Sequence, residues 1–130
     1  MSFSLQLRKF NQETKERVER NRRQILFEVF RGIVMDTPVL EGTLRGNWQL
    51  SSGSPTLSQL DIRSQSAVLN EIDQVLRGSR FGDTVWLSNN LPYAYAIEFY
   101  GWSHTKAPQG MVRKNVMRVN QIAQAVARSR

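Results

Sequence analysis

Residues 84–111 read Thr84-Val-Trp-Leu-Ser-Asn-Asn-Leu-Pro-Tyr-Ala-Tyr-Ala-Ile-Glu-Phe-Tyr-Gly-Trp-Ser-His-Thr-Lys-Ala-Pro-Gln-Gly-Met111, and they carry the densest structural signals in the chain. Asp83–Ser88 alternates in strand fashion and predicts a strand, with Val85 and Leu87 on one face and Trp86 on the other. Asn89-Asn90-Leu91-Pro92 predicts a turn, because Asn tolerates left-handed backbone and Pro ends a strand ladder. Tyr93–Tyr100 predicts a short aromatic helix that Gly101 ends, and Trp102–Pro108 predicts a loop.

The residues after this segment predict a last helix over Gln109–Arg128, which Ala107-Pro108-Gln109-Gly110 begins. Apolar residues recur at near-heptad spacing and predict one buried stripe, made of Val112, Val116, Val119, Ala123 and Val126. Three basic residues lie on the polar side of that stripe: Arg113, Lys114 and Arg118. The helix is therefore expected to bury one face and to present a basic face.

The N-terminus predicts a long helix over Phe3–Met35, in which no proline occurs and Gly32 is the only glycine. Its second half, Ile25–Met35, is apolar nearly all round and is expected to be buried. Asn11–Arg23 is almost entirely polar, so residues 1–24 are expected to project as a helical arm from a single domain of residues 1–130. We predict that this arm orders only on assembly, because its sparse apolar residues do not offset the ordering cost of a free helix.

The long helix is expected to end at Asp36-Thr37-Pro38, since the residue before a proline is pushed out of helical geometry. Gly42 and Gly46 are four residues apart and predict a turn or a close backbone approach. Trp48 and Leu50 alternate with polar residues, which predicts a half-buried strand.

Ser51–Ser64 is rich in Ser, Thr, Gly and Pro and predicts a surface loop, with a weak strand over Thr56–Ile62. An amphipathic helix is predicted over Ala67–Arg77, with Ser66 as its N-cap and Gly78 at its end. The sequence therefore predicts an α+β fold. A small antiparallel sheet is expected to pack against the long N-terminal helix, this middle helix and the C-terminal helix.

The chain has 130 residues and a net charge of +7, and that charge is unevenly distributed. Residues 1–35 and 101–130 are strongly basic, whereas residues 36–100 hold more acidic than basic side chains. Such basic arms suit nucleic acid, an acidic protein surface or an acidic face of a second copy, and charge does not choose among these partners.

Several classes of site and location are excluded or disfavoured by composition. The absence of cysteine excludes disulfides, thiolate metal sites and cysteine nucleophiles. No segment approaches the roughly 20 apolar residues of a membrane-spanning helix, and the N-terminus lacks the order of a secretory signal. We expect a soluble protein, used inside the cell that makes it, with no membrane partner.

The catalytic inventory is small. His104 is the only histidine, and no nucleophile-elbow sequence accompanies it. The spacing of Asp36, Glu41, Asp83 and Glu98 favours no catalytic pair, and metal-ligand spacings and glycine-rich phosphate loops are absent. We expect no catalytic, cofactor or metal site and no enzymatic activity. The alternative is a small hydrolase or nuclease that uses His104.

A set of aromatic residues lies between the basic arms: Trp86, Tyr93, Tyr95, Phe99, Tyr100 and Trp102. Stacking of single-stranded bases on these rings, together with the basic helices, would make a nucleic-acid-binding module. An interface with protein is better motivated, because Tyr, Trp and Arg concentrate at the hot spots of protein–protein contacts.

Two ordered sets of motifs resemble those of a known family. The first is Thr37-Pro38, then Gly42-Thr43-Leu44-Arg45 and Trp48; the second is Asn89-Asn90-Leu91-Pro92-Tyr93-Ala94, Glu98, Gly101 and Ala107-Pro108-Gln109-Gly110-Met111-Val112. Together they resemble the small tail-component proteins of tailed bacteriophages, the tail-completion or neck proteins of the head–tail junction. The resemblance covers about residues 25–128. Leu40-Glu41 departs from it, where a small polar pair is expected.

This resemblance implies a structural virion protein that is assembled in the bacterial cytoplasm and is not an enzyme. It implies a ring of identical copies, expected to be a hexamer or dodecamer, that contacts tail-terminator or tube proteins and head–tail connector proteins. Packaged DNA is a further possible non-specific contact, suggested by charge alone. The interface candidates are Arg17, Arg20, Arg22, Arg23, Tyr93, Glu98, Trp102, Arg113, Lys114 and Arg118.

Overall fold

The computed structural model describes residues 3–38, 42–80, 82–100 and 110–128. Its elements follow in the order α1 (Phe3–Asp36), α2 (Thr43–Gly46), β1 (Gln49–Ser52), α3 (Gln65–Gly78), β2 (Val85–Ser88), α4 (Pro92–Tyr100), α5 (Val112–Val116) and α6 (Val119–Arg128). The two strands form one antiparallel sheet. The mixed fold of helices and a small antiparallel sheet is therefore the α+β class predicted from the sequence.

α1 is buried in its second half and ends where the sequence predicts. Val29, Ile33 and Val34 are buried in the core, whereas the side chains of residues 15–18 are exposed. The Thr37 hydroxyl donates a 2.7 Å hydrogen bond to the Ile33 carbonyl. This bond satisfies a carbonyl in the last turn of the helix, where backbone acceptors lack partners. The division of the chain into a domain and an arm over residues 1–24 stays a prediction.

The sheet pairs β1 with β2 so that Leu50 lies opposite Leu87 and Ser51 lies opposite Trp86. Leu50 is buried and Leu87 packs against the core, whereas Trp86 is exposed on the other face, which confirms the predicted alternation in β2. Trp48 was predicted to lie in a strand. It instead lies just before β1, and its side chain is buried in the core.

α3 buries the predicted stripe, which contributes Val68, Ile72 and Leu76 to the core. Its predicted ends were wrong by a few residues. The helix begins two residues earlier than predicted, because the Ser64 hydroxyl, not that of Ser66, accepts the backbone N–H of Ala67 at 3.1 Å. Gly78 is the last helical residue, and an extended Ser79 closes the helix.

No strand forms over Thr56–Ile62, so that prediction was wrong. The backbone there bonds to side-chain amides instead of a neighbouring strand. Asn47 accepts from the Leu60 N–H at 2.7 Å and donates to the Leu60 carbonyl at 3.0 Å. The Ser58 carbonyl accepts from Gln49 at 2.8 Å. These bonds hold the loop of residues 53–64 in place through side chains, without backbone hydrogen bonds to a neighbouring strand.

The C-terminal segment is two helices and not the continuous helix predicted over Gln109–Arg128. A turn at Met117 and Arg118 separates α5 from α6. Val116 and Val119 are exposed at this break, so their predicted place on the buried stripe was wrong. The buried face is instead built from Val112, Ile122 and Val126, which pack on the core or are buried.

α1 packs against α3, α5 and α6, and α3 packs on β1. The buried core cluster draws on most elements: Val29, Ile33, Val34, Leu44, Trp48, Leu50, Val68, Ile72, Leu76, Ala94, Ile97 and Met111. Over the described ranges, none of the helices combines the length and the apolar character needed to cross a membrane.

Candidate assembly surface

Arg45 fastens the first set of motif residues to the end of α1. Its guanidinium donates to the carbonyls of Val34 (3.1 Å), Met35 (3.1 Å) and Thr37 (3.2 Å), and also to the side chain of Gln65 (3.2 Å). The last carbonyls of a helix lack partners within the helix and carry a partial negative charge. The Arg45 guanidinium therefore satisfies several of these acceptors at once, and its hydrogen bonds connect α2 and α3 to α1.

Thr37 and Trp48 form the second part of the same joint. The Trp48 indole N–H donates to the Thr37 hydroxyl at 2.7 Å, and both side chains are buried. Gly42 has a φ of 82°, a conformation that favours glycine, and a Cβ at Gly46 would come within 2.7 Å of the Arg63 backbone N. Pro38 and Leu44 are buried beside them. These motif residues are thus explained by packing inside the chain.

Asn89 and Asn90 hold the turn that precedes α4. Asn89 donates to the Leu44 carbonyl at 2.8 Å, which links the second set of motif residues to the first. Asn90 donates to the carbonyls of Thr56 (3.0 Å) and Ser58 (2.9 Å), which anchors the long loop. Pro92 then opens α4. β2 ends and α4 begins across these residues, as predicted, but neither asparagine has a positive φ, so side-chain hydrogen bonds and not left-handed backbone set this connection.

Glu98 belongs to α4, and its side-chain carboxylate lies against the first residues of α5. Its carboxylate accepts the backbone N–H groups of Met111 (2.6 Å), Val112 (2.7 Å) and Arg113 (3.1 Å), and the Arg113 Nε at 2.9 Å. A Cβ at Gly110 would come within 2.5 Å of the Glu98 carboxylate, so only glycine leaves this approach open. The carboxylate thereby satisfies N–H donors that a helix start leaves without partners.

Glu98 is only 5% exposed, so its position inside the chain argues against the interface role predicted for it. Burial by itself raises the pKa of the Glu98 carboxyl. The hydrogen bonds from Val112, Met111 and Arg113 outweigh burial and lower that pKa below its ordinary value of 4.5. Glu98 is therefore a carboxylate at neutral pH, and it locks α4 to α5.

The basic interface candidates on α1 have different surroundings. Arg17 and Arg20 are exposed, and Arg23 is half-buried. Arg22 is used within the chain, since it donates to the Ser79 hydroxyl at 3.1 Å and to the Asp83 carbonyl at 3.4 Å. Of the four basic interface candidates on this helix, Arg17 and Arg20 are therefore the two that are fully exposed.

The remaining candidates lie around α4 and α5. Lys114 forms an ion pair with Asp36 (3.6 Å), which joins α5 to the end of α1. Tyr93 and Arg118 are exposed. Gly101, Trp102, Ala107 and Pro108, together with His104, lie outside the described residues. Met111 is buried in the core, which accounts for its place among the motif residues.

α4 and α5 together build a surface that we call the aromatic surface, made of Tyr95, Phe99 and Arg113. Tyr95 is 59% exposed and Phe99 is 51% exposed, and their ring centroids lie 4.6 Å apart. The Arg113 guanidinium carbon lies 5.1 Å from the Phe99 ring centroid, within cation–π range. Because Arg113 is also bonded to Glu98, its guanidinium is held in place beside the Phe99 ring.

The sequence identified the aromatic residues but not which of them the fold exposes. Tyr95 and Phe99 are four residues apart, so a helix places them on one face. Whether that face is buried depends on what packs against α4, which is not a local property. Across the ranges that the structure describes, no group of three His, Asp or Glu side chains is placed to hold a metal ion.

Comparisons of this chain with protein families, with curated protein sequences and with solved structures found no match.

Proposed function

We propose that this protein is a structural virion protein of a tailed bacteriophage. It assembles into a ring at the head–tail junction and joins the tail terminator or tube to the connector. Two kinds of support carry this proposal: the ordered motif residues that resemble tail-completion proteins, and a surface built for contact with protein.

The observation that carries the proposal furthest is the aromatic surface. Large aromatic side chains that are half exposed on a short helix are typical of protein-contact sites, where Tyr and Arg supply much of the binding energy. Here Phe99 is 51% exposed, and the Glu98–Arg113 interactions fix the helices that carry it. A surface that is already ordered loses little conformational entropy on binding.

The motif residues support the same proposal in a different way. Thr37, Arg45 and Trp48 interlock α1, α2 and β1, and Asn89 and Asn90 tie the α4 turn to that joint. Such residues define a fold and not a contact. Their resemblance to the motifs of tail-completion proteins therefore supports a shared fold. The exposed aromatic surface supports the proposal of assembly.

Electron microscopy of the purified protein tests the proposal, together with light scattering coupled to size-exclusion chromatography. We expect closed rings of uniform size, and the same ring at the neck of tailed particles that contain the chain. A protein that forms no ring in isolation and has no place at a tail end would overturn the proposal.

A nucleic-acid-binding module is the second candidate function. One observation favours it: residues 110–128 contain Arg113, Lys114, Arg118 and Arg128 and no acidic residue. Binding of DNA by such a surface depends on release of counterions and falls steeply with salt. Its test is the affinity for double-stranded DNA across a salt series, with ring formation measured on the same sample.

A further inference from the structure

The two-stranded sheet has an open edge along β2. In the described part of the chain, β1 is the only strand that pairs with β2. The Gly53 N–H donates to the Thr84 carbonyl at 2.9 Å, so these two residues form a hydrogen-bonded pair at the end of the ladder. Bonded and non-bonded pairs alternate along an antiparallel ladder. In the observed register, the backbone N–H and C=O groups of Val85 and Leu87 therefore point away from β1.

These outward groups of β2 have no partner among the described residues. No hydrogen bond found there involves the backbone of Val85 or Leu87 on that side. Just before this run, Arg22 donates to the Asp83 carbonyl at 3.4 Å, so the open edge starts at Val85. A row of unpaired donors and acceptors at a sheet edge is a template for one more strand.

Charged side chains lie beside β1, whereas β2 carries none. Arg63 donates to the Trp48 carbonyl at 2.8 Å, immediately before β1, and forms an ion pair with Glu71. β2 reads Val85-Trp-Leu-Ser88 and contains neither a charged residue nor a proline. Charged side chains and prolines are common devices that keep an edge strand from pairing with another chain. The β2 edge lacks both of them.

A second copy of β2 fits this edge in an antiparallel register. When Val85 of each copy lies opposite Leu87 of the other, each pair exchanges both of its backbone hydrogen bonds, which uses all the outward groups. Trp86 then lies opposite Trp86 of the second copy. Asp83 is the charged residue nearest to β2 in sequence, and it falls opposite Asn89 of the second copy, so no like charges meet.

We propose that two copies of this chain pair edge to edge through β2 and form one continuous antiparallel sheet, in the order β1-β2-β2-β1. Both copies use the same surface, so the contact is isologous and has two-fold symmetry. It goes beyond the proposed function, because a two-fold contact joins copies in pairs and does not build the repeat of a ring. Where rings form, it joins two of them face to face; otherwise it gives a dimer.

Two variants at the two-fold axis test this contact on the full chain. Trp86 is 42% exposed on the outer face of the sheet. Trp86→Lys and Trp86→Glu each place two like charges directly opposite one another, which opposes pairing. Light scattering coupled to size-exclusion chromatography measures the mass over a concentration series. We expect each variant to form a species of half the wild-type mass, whether the wild type is a dimer or a pair of rings.

An equal mixture of the two variants, prepared separately, gives the sharpest result. Lys and Glu then lie opposite one another at the axis, so the mixture is expected to recover the wild-type mass. Met117→Lys is the matched control, because Met117 is an apolar residue that is 84% exposed between α5 and α6, outside the sheet. It is expected to keep the wild-type mass.

Amide exchange reports the same contact at single residues. The N–H groups of Val85 and Leu87 are expected to be protected in the wild type and to exchange rapidly in Trp86→Lys. The Ser51 N–H lies in a bonded pair within the sheet and is expected to stay protected in both. Circular dichroism checks that each variant folds. If the Trp86 variants unfold, wild-type exchange over a dilution series replaces them, and protection of Val85 and Leu87 is expected to disappear as the mass halves.

Equal masses for the wild type and Trp86→Lys overturn this contact, and so does a mixture that fails to recover the wild-type mass. Rapid exchange of Val85 and Leu87 in the wild type at every concentration overturns it as well. Each of these results leaves the ring proposal standing. That proposal fails only if images show neither a ring nor a place for the chain at a tail end.

Discussion

Replacing Glu98 with Gln removes the charge that joins α4 to α5 and keeps the shape of the side chain. In the wild type, Oε1 accepts the N–H groups of Met111 at 2.6 Å and Val112 at 2.7 Å, and Oε2 accepts the Arg113 N–H at 3.1 Å and its Nε at 2.9 Å. An amide has only one acceptor oxygen, so its NH₂ group faces two N–H donors whichever way it is turned.

The expected loss of stability follows from that count. A hydrogen bond to a charged group contributes about 1.5–3 kcal/mol, and a buried donor without a partner costs about 1–3 kcal/mol. The Arg113 side chain is 51% exposed, so water replaces part of what it loses. We therefore expect Glu98→Gln to lower the free energy of unfolding by about 2–3 kcal/mol at neutral pH.

The effect depends on pH in a defined direction. Although burial raises the pKa of the Glu98 carboxyl, the hydrogen bonds to the carboxylate lower it below 4.5 in the folded chain. The carboxylate therefore contributes its full stability above pH 4.5, and this contribution is lost as pH falls through the folded pKa. The difference between the wild type and Glu98→Gln is expected to stay constant near neutral pH and to narrow in acid.

Urea unfolding followed by tryptophan fluorescence measures this difference at a series of pH values. Glu13→Gln is the matched control, because Glu13 is exposed on α1, and its effect is expected to stay within about 0.5 kcal/mol. A Glu98→Gln variant as stable as the wild type at neutral pH would refute the reasoning. A deficit that did not shrink on acidification would refute it equally.

Three further predictions concern packing, the arm and nucleic acid. A Cβ at Gly32 would meet the Asn115 side-chain oxygen, so Gly32→Ala is expected to destabilise the fold by about 1–3 kcal/mol. Gly78→Ala meets nothing within 4 Å, and it is expected to stabilise α3 by about 0.5–1 kcal/mol; equal urea midpoints for the two variants would contradict this. Amide protons of Leu5–Arg23 are expected to exchange rapidly in the isolated monomer, and protection there would show that the arm orders before assembly. The nucleic-acid alternative predicts steeply salt-dependent DNA affinity, and absence of binding at about 50 mM salt would eliminate it.

The parts of the fold that the sequence predicted correctly are those with local signals. The end of α1 follows from a proline, the buried face of α3 follows from helical spacing, and the sides of β2 follow from alternation. Each of these patterns is read from neighbours in the chain. They place the elements well but say little about how the elements meet.

The parts that the sequence missed depend on contacts between distant residues. Asn115 donates to Asp36 (2.9 Å) and to the Met111 carbonyl (2.8 Å), which fixes α5 against α1 just before the chain turns into α6. A heptad-like spacing that continues through Val116 gives no sign of this break. The loop held by Asn47 and Asn90 is equally invisible, because side-chain bonds to a backbone have no periodicity.

The same distinction applies to the assembly surface. The aromatic residues were identified from composition, but Glu98 looked like a contact residue and is an internal acceptor. Leu57 is 88% exposed, and it lies in a loop that sequence alone marks only as polar and irregular. Exposure is set by what the rest of the fold covers, so it becomes visible only once the elements are packed.

Reconstruction of the head–tail junction in particles that carry this chain tests the central claim most directly. The account predicts a closed ring between connector and tail, with one copy of α1 to α6 fitting each subunit's density. Particles that are complete without this chain would contradict it, and so would density that places the chain away from the junction.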